Sequence, residues 1–514
     1  MITQKNTSRL AAVRKPILFA CGLALLVIGG NSAAAADETS DSAPRRFTTD
    51  GRQTIGGVQV RYTAIVAETF LTDPEGKRTA SLVSTSYIRN RLPADVARPV
   101  VFVFNGGPGS SSLWLHMGLV GPRRVAFGDD VHPETTPPFR IADNADSILD
   151  VADVVLFDPP GTGFSRVLPD GKTEEFYGVA QDAQATVRFI EAWVNEHRRW
   201  QSPRFLMGES YGTVRAAVVA RLLSGGPMGT GSMEGLTLNG VILLGQAMGS
   251  VDGDMSFVTS LPTLAATAWY HGRTDRDGTT LRQHITNAET FAADEYLRAL
   301  YAGANLNQAD QARIAAHLSL LTGLSTGFIL DMDLRVSNAD FERELLRQQG
   351  LQAGHYDGRY TLPLRADGGD PVADDPAMGQ YVPGFVAALN SYMRDELGVT
   401  LPEDYLAIEF RKVNARWDYG SGPGVRPNRN FASDLATAMR RNPGLELFVG
   451  SGYYDLATTM GSAAYTVTHS GFPLERVTVR NYESGHMPYL GADSRKRLAQ
   501  DLREFIQKAA IPER

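Results

Sequence analysis

A short serine motif between glycines constrains this 514-residue chain more than any other stretch. Gly208-Glu209-Ser210-Tyr211-Gly212 lies between an apolar run at 204–207 and an apolar, helically spaced run at 214–223. Glycine permits a turn that would be too crowded for a Cβ atom, so a strand, a sharp turn and a helix can raise a serine above a sheet. The alternative is an ordinary turn in which Ser210 caps a helix. Because Glu209 places a second polar side chain there, the motif favours an exposed nucleophile.

The first 36 residues have the composition of a targeting segment. Basic residues precede an apolar run at 16–28, and small residues follow at 33–36. The apolar run is shorter than the ~20 residues that a membrane helix requires. The sequence therefore predicts a signal peptide over 1–36 and an exported protein, periplasmic or secreted, without a stable membrane span. A retained anchor and a lipid anchor at Cys21 are the alternatives.

Removal of this segment changes the composition of the mature chain. Cys21 is the only cysteine, so an exported protein would depend on its core and not on disulfides. The segment carries four cations and no anions, so its removal changes the formal net charge from −7 to about −11. This charge disfavours nucleic acid as a partner. The nine histidines are scattered without a His-x-x-x-His pair, so we expect no metal and no cofactor.

The periodicity of the first half predicts a covered sheet. Alternating patterns at 53–70 and 79–88, joined by the turn 73–76, predict a long antiparallel hairpin at a sheet edge. Continuous apolar runs are typical of strands that are buried on both faces, and they occur at 99–104, 154–157 and 241–244. Because these strands alternate with helical patterns, we expect an α/β protein with a mostly parallel central sheet and helices on both faces.

This alternation stops near residue 250. Residues 251–430 contain no strong buried strand and are mainly helical in pattern, whereas apolar strands resume at 445–449 and 476–479. We therefore predict a core in two parts, 37–250 and 431–514, with an inserted helical lid or cap domain at 251–430. A separate domain in series is the alternative, but too few strands would remain for its core.

A second glycine-rich loop follows the first buried strand. Asn105-Gly106-Gly107-Pro108-Gly109 can turn backbone N–H groups into a cleft, which a serine hydrolase needs where oxyanion charge develops. A phosphate-binding loop is one alternative, but the Lys-Ser/Thr pair that such loops carry is absent. A plain turn is the other alternative.

A nucleophilic serine also needs a base and an acid that orients this base. Asp455 follows the strand at 445–449, and His486 follows the strand at 476–479 within a glycine-containing loop. In sheets of this type the chain order is serine, acid, histidine, each beyond the end of a strand. A lone histidine is usually structural. Here three positions agree, and they predict a triad of Ser210, Asp455 and His486.

Together, these residues resemble the serine carboxypeptidase family over about 99–490. The matching segments are Asn105-Gly106-Gly107-Pro108-Gly109-Ser110-Ser111-Ser112, residues 144–165, Gly208 to Gly212, Asp455 and Gly485-His486. The resemblance implies an α/β-hydrolase fold with Ser210 as nucleophile, His486 as base and Asp455 as its orienting acid. It further implies an oxyanion hole formed by the backbone N–H groups of Gly107 and Tyr211. Asn105 and Glu209 would bind the terminal carboxylate of a peptide substrate.

Two positions depart from the family pattern. Many members carry a cysteine at the position of Ser110. A glutamate that helps to bind the terminal carboxylate in relatives corresponds to Leu119, so the carboxylate site of this chain differs from theirs.

The predicted function is that of a serine carboxypeptidase that cleaves peptides through an acyl-enzyme. Acidic pH should favour it, because Glu209 can bind a carboxylate only when the two acids share a proton. An esterase or acyltransferase on the same triad is the first alternative, and Leu119 favours it. A non-catalytic binding protein is the second, although such a protein would be expected to lose a triad residue.

Overall fold

The structure is a computed structural model that describes residues 43–90, 97–127, 131–226, 235–249, 251–365, 368–420, 422 and 430–511. The predicted signal peptide at 1–36 and Cys21 lie outside the described residues.

The strands, numbered in chain order, are β1 Arg46–Ile55, β2 Val58–Thr72, β3 Arg78–Arg89, β4 Val100–Phe104, β5 Arg123–Val125, β6 Ile141–Asp143, β7 Asp153–Phe157, β8 Arg166–Val167, β9 Arg204–Glu209, β10 Gly240–Leu244, β11 Leu351–Ala353, β12 Thr361–Pro363, β13 Glu446–Gly452 and β14 Val477–Tyr482. The helices are α1 Leu113–Leu115, α2 Val179–Glu196, α3 Tyr211–Leu223, α4 Asp254–Tyr270, α5 Leu281–Phe291, α6 Leu297–Ala302, α7 Gln308–Thr322, α8 Thr326–Asp331, α9 Asn338–Glu344, α10 Met378–Ser391, α11 Ala432–Arg441, α12 Met460–His469 and α13 Ala492–Ala510. A π-helical turn, His116–Val120, continues α1.

The main sheet has the strand order β1-β2-β3-β7-β4-β9-β10-β13-β14, and β8 pairs with β3. The neighbours from β7 to β14 are parallel, whereas β1, β2 and β3 are antiparallel to their neighbours. The sheet is therefore mostly parallel, as predicted. Because the parallel strands run in the same direction, their carboxyl ends meet along one edge.

The side chains of β4 show why its sequence is continuously apolar. Val101 and Val103 belong to an apolar cluster with α10 and α13 on one face of the sheet. Val100, Phe102 and Phe104 belong to the cluster on the other face, with α2, α3 and α11. Successive side chains of a strand point to opposite faces, so a strand that is covered on both sides needs an apolar residue at every position.

The N-terminal edge differs from the prediction of a single strand over 53–70. Gly56 and Gly57 have φ angles of 56° and 79°, and Ile55 pairs with Val58 across them. Two residues with positive φ form a tight hairpin turn, which glycine adopts without steric cost. This turn divides the predicted strand into β1 and β2, so the predicted hairpin of β2 and β3 lies one strand inside the edge.

A mainly helical segment connects β10 to β13, which are neighbours in the sheet. Many of its helices share an apolar cluster of their own, which also includes Leu456 beyond β13. Phe385 and Leu389 of α10 instead pack into the core of the main sheet. Helix α4 was missing from the sequence prediction, because its buried residues occupy every position from 258 to 268 and mask the helical period.

Candidate active site

Ser210 lies at the turn between β9 and α3 with φ 58° and ψ −128°. This conformation is strained for a residue with a Cβ and persists only where the surroundings hold it. The backbone N–H of Ser210 donates to the Leu244 carbonyl at 2.9 Å. A Cβ at Gly208 would lie 2.2 Å from the Gly212 oxygen, so this flanking position requires glycine. The turn leaves Ser210 partly exposed at the carboxyl edge of the sheet.

Asp455 and His486 meet at the same edge. The Nδ1 atom of His486 lies 2.9 Å from Oδ2 of Asp455. The other oxygen, Oδ1, accepts the backbone N–H groups of Ala457 at 3.0 Å and Thr458 at 2.9 Å, and Asp455 is fully buried. Because the carboxylate accepts the Nδ1 proton, Nε2 of His486 is left to accept a proton from a nucleophile. The Thr458 hydroxyl also contacts Oδ2 of Asp455 and lies 3.1 Å from Nδ1 of His486, a contact that no sequence motif indicated.

Glu209 and Asn105 form a second buried pair beside Ser210. Asn105 Nδ2 donates to Glu209 Oε1 at 2.8 Å, and Asn105 Oδ1 accepts the Leu115 N–H at 3.1 Å. These two contacts fix the orientation of the amide. The second oxygen of Glu209, Oε2, is buried without a hydrogen-bond partner among the described residues. The pair therefore retains unused hydrogen-bonding capacity next to the serine.

Burial and charge shift the titration of both groups. Burial raises the pKa of Glu209 to about 7, although the charge of His486 and then the side chains of Tyr489 and Asn105 oppose the rise. Burial lowers the pKa of His486, but the Asp455 carboxylate and then Glu209 outweigh it and raise this pKa above its ordinary value. The two groups can therefore hold one proton in two ways: a neutral Glu209 with a neutral His486, or a Glu209 carboxylate with a His486 imidazolium. Both states bind the same number of protons, so they compete.

The loop of Gly106 and Gly107 packs directly against the start of α3. A Cβ at Gly106 would lie 2.4 Å from the backbone nitrogen of Tyr211, so only glycine allows this approach. Gly107 follows with φ 101°. Tyr211 is the first residue of α3, where a backbone N–H has no acceptor within the helix. The backbone N–H groups of Gly107 and Tyr211, which the family resemblance implies for an oxyanion hole, therefore belong to adjoining backbone turns.

A segment at 404–418 holds this loop from outside. The hydrogen bonds run from Ser111 N to Ala407 O at 3.0 Å, from Glu409 N to Gly109 O at 2.8 Å and from Asn414 Nδ2 to Pro108 O at 2.9 Å. Ser110, at the position of a cysteine in many relatives, accepts the indole N–H of Trp114 at 2.8 Å. Hydrogen bonds thus anchor this loop to the segment at 404–418 and to Trp114.

A second segment, 355–359, joins the loops that carry the acid and the base. His486 N donates to Tyr356 O at 2.7 Å, and Leu456 N donates to His355 O at 3.1 Å. The Tyr356 ring also meets the His486 ring edge to face, with centroids 5.2 Å apart. The helical segment therefore contributes directly to the position of the imidazole.

Arg215 forms a buried network that the sequence analysis did not identify. Its Nε donates to Asp182 Oδ2 at 2.7 Å, and its Nη1 donates to the Asn105 carbonyl at 2.7 Å. The Tyr211 hydroxyl donates to the same Asp182 oxygen at 3.3 Å. Arg215 is fully buried, so it ties α2, α3 and the glycine-rich loop together behind the site.

We expect Arg215→Met to lower the free energy of unfolding by about 3–5 kcal/mol, because it leaves the Asp182 carboxylate buried without its partner. Denaturant unfolding measures this loss. The double variant Arg215→Met with Asp182→Leu removes both charges and should recover part of it. If the double variant is less stable than Arg215→Met, the unpaired carboxylate is not the cause of the loss.

Among the described residues, no group of three or more histidine, cysteine, aspartate or glutamate side chains is arranged to hold a metal ion. None of the described helices combines the length and apolar character needed to cross a bilayer.

The fold has a known counterpart. A crystal structure of Kex1, a prohormone-processing carboxypeptidase from Saccharomyces cerevisiae, superimposes with a TM-score of 0.54 and 14% sequence identity over 87% of this chain and 92% of that chain. At this identity the likeness establishes the fold. The strand order, the turn at Ser210 and this likeness define an α/β-hydrolase fold, as predicted.

The family is indicated by sequence. Residues 88–333 match the model of the serine carboxypeptidase family. Pheromone-processing carboxypeptidases of two fungi are also similar: 29% identity over 174 residues in Pyrenophora tritici-repentis and 32% over 139 residues in Leptosphaeria maculans. These stretches cover 34% and 27% of this chain but only 25% and 20% of the relatives. The predicted resemblance to the serine carboxypeptidase family is therefore confirmed.

Proposed function

We propose that this protein is a serine carboxypeptidase that releases the C-terminal residue of a peptide. The Ser210 hydroxyl gives its proton to His486 Nε2 while Oγ bonds to the scissile carbonyl carbon. The backbone N–H groups of Gly107 and Tyr211 stabilise the resulting oxyanion. The C–N bond then breaks, Nε2 returns the proton to the departing amine, and the terminal amino acid leaves. Water hydrolyses the acyl-enzyme in the same way, with His486 again as base and Asp455 orienting it.

The buried pair of Asn105 and Glu209 is the observation that carries this proposal. Glu209, the last residue of β9, immediately precedes Ser210, and its oxygen Oε2 has no hydrogen-bond partner among the described residues. A protonated Glu209 donates a hydrogen bond to a carboxylate, whereas an ionised one repels it. A carboxylate held beside the nucleophile leaves room for a single residue between it and the cleaved bond, which defines an exopeptidase.

We also propose that the chain is exported through the predicted signal peptide at 1–36. Its basic start, apolar centre and small residues before Asp37 support this proposal. N-terminal sequencing of the mature protein tests it. A start near residue 37 is the expected result, and a start at residue 1 would contradict it.

The activity is tested with an N-blocked dipeptide and its C-terminal amide. The free acid should be cleaved with a kcat/KM at least about tenfold above that of the amide, because only the acid engages Asn105 and Glu209. Measuring release of the terminal amino acid or amino acid amide gives both constants. Equal turnover of acid and amide would instead favour a general esterase or acyltransferase on the same triad.

The pH dependence should differ between the two substrates. For the acid, kcat/KM should fall about tenfold per pH unit above the pKa of Glu209, about 7, because the ionised side chain repels the substrate. The amide should lack this alkaline decline, and both should lose activity at low pH as His486 becomes protonated. In Glu209→Gln the alkaline decline should disappear, since an amide side chain does not titrate. Its persistence in this variant would assign the decline to another group.

A further inference from the structure

Tyr489 places a hydroxyl group beside the same carboxyl. Its side chain is 1% exposed, and the buried hydroxyl makes no hydrogen bond of good geometry with the described residues. The side chain lies against the Glu209 carboxyl and the Asn105 amide and interacts with both. Two polar atoms that lack a hydrogen bond of good geometry among the described residues, Tyr489 OH and Glu209 Oε2, therefore belong to one small buried region.

Such a pair is costly unless a ligand uses it. Each buried polar atom without a hydrogen bond costs about 1–3 kcal/mol, so most such atoms in proteins have partners. Burial, followed by the charge of Glu209, also raises the pKa of Tyr489 well above its ordinary value. The phenol therefore remains a hydrogen-bond donor throughout the pH range in which the triad operates.

The local structure holds the Tyr489 ring in place. Gly118, in the π-helical turn, leaves the space that the ring fills, because a Cβ there would lie 2.4 Å from Tyr489 Cε2. The next residue, Leu119, is fully buried in the apolar core and brings no polar side chain to this region. On the other side, the Ser484 hydroxyl bonds to the carbonyls of Met487 at 3.0 Å and Leu490 at 2.8 Å, which fixes the loop around Tyr489.

We propose that the Tyr489 hydroxyl donates a hydrogen bond to the terminal carboxylate of the substrate, as a third donor beside Asn105 and protonated Glu209. This inference rests on the proposed carboxypeptidase function. It assigns to Tyr489 a part in selecting substrates that have a free C-terminal carboxylate. Leu119, which is buried in the apolar core, contributes no polar group to this region.

Tyr489→Phe removes the hydroxyl and keeps the ring. For the free acid we expect kcat/KM to fall about 10- to 100-fold, mainly through KM, because a hydrogen bond to a charged group is lost. The amide should be cleaved as before. Without ligand, the variant should be about as stable as the wild type, because the hydroxyl makes no hydrogen bond of good geometry there. Tyr482→Phe is the matched control: its buried hydroxyl donates to Asp501 at 2.7 Å, so it should lose stability without changing the preference for acid over amide.

Gly118→Ala provides a second test that leaves Tyr489 unchanged. The added Cβ should displace the ring and weaken cleavage of the acid more than that of the amide. If Tyr489→Phe and Gly118→Ala both keep the wild-type ratio of acid to amide cleavage, the role of Tyr489 is refuted while the carboxypeptidase function stands. If the wild type itself cleaves acid and amide equally, the proposed function fails, and the role of Tyr489 fails with it.

Discussion

Ser210→Ala should lower the kcat of dipeptide cleavage by about 100,000-fold or more, since loss of the nucleophile removes the acyl-enzyme route altogether. The fold should persist, because Ser210 is partly exposed and the turn is held by its backbone bond to Leu244 and by close contacts of its glycines. Steady-state cleavage of the N-blocked dipeptide acid, together with thermal unfolding, measures both quantities.

Ser433→Ala is the matched control for this experiment. Ser433 is exposed on α11, and its substitution should leave cleavage unchanged. Residual activity in Ser210→Ala within about a hundredfold of the wild type would exclude Ser210 as the nucleophile. A serine-directed sulfonyl fluoride should label the wild type and the Ser433→Ala protein once per chain and should not label Ser210→Ala.

Asp455→Asn should lower kcat by about 10,000-fold, with little change in KM. The reason lies in how the carboxylate is held. The N–H groups of Ala457 and Thr458 donate to Oδ1, so a side-chain amide would place its oxygen there and turn its NH₂ towards His486. His486 Nδ1 would then have to accept, Nε2 would carry the proton, and it could not take a proton from Ser210.

The ring tautomer can be followed directly by nitrogen NMR of the imidazole, which should report a proton on Nδ1 in the wild type and on Nε2 in Asp455→Asn. Asp493→Asn, at an exposed position in the first turn of α13, is the control and should change neither tautomer nor kcat. A fall in kcat below about tenfold for Asp455→Asn would show that another group orients His486.

Local patterns were sufficient for the elements that carry the predicted site. An apolar run at every position indicated strands covered on both faces, and the glycines around Ser210 indicated a crowded turn. Because parallel strands end at one edge, residues just beyond them had to lie near each other. The prediction failed where periodicity carried no information: at the two-glycine turn between β1 and β2, and in α4, which is buried at every position from 258 to 268.

The sequence by itself thus determined the sheet, the turn at Ser210 and the candidates Asn105, Glu209, Asp455 and His486, since each follows from a local motif and its place after a strand. Only the tertiary structure decided how this edge is supported. Arg215, Tyr356 and Tyr489 carry no motif, and the residues that they contact are distant in the chain. Their contacts depend on packing between elements, and so does the burial that raises the pKa of Glu209 to about 7. Desolvation is a property of the assembled interior, which no local pattern encodes.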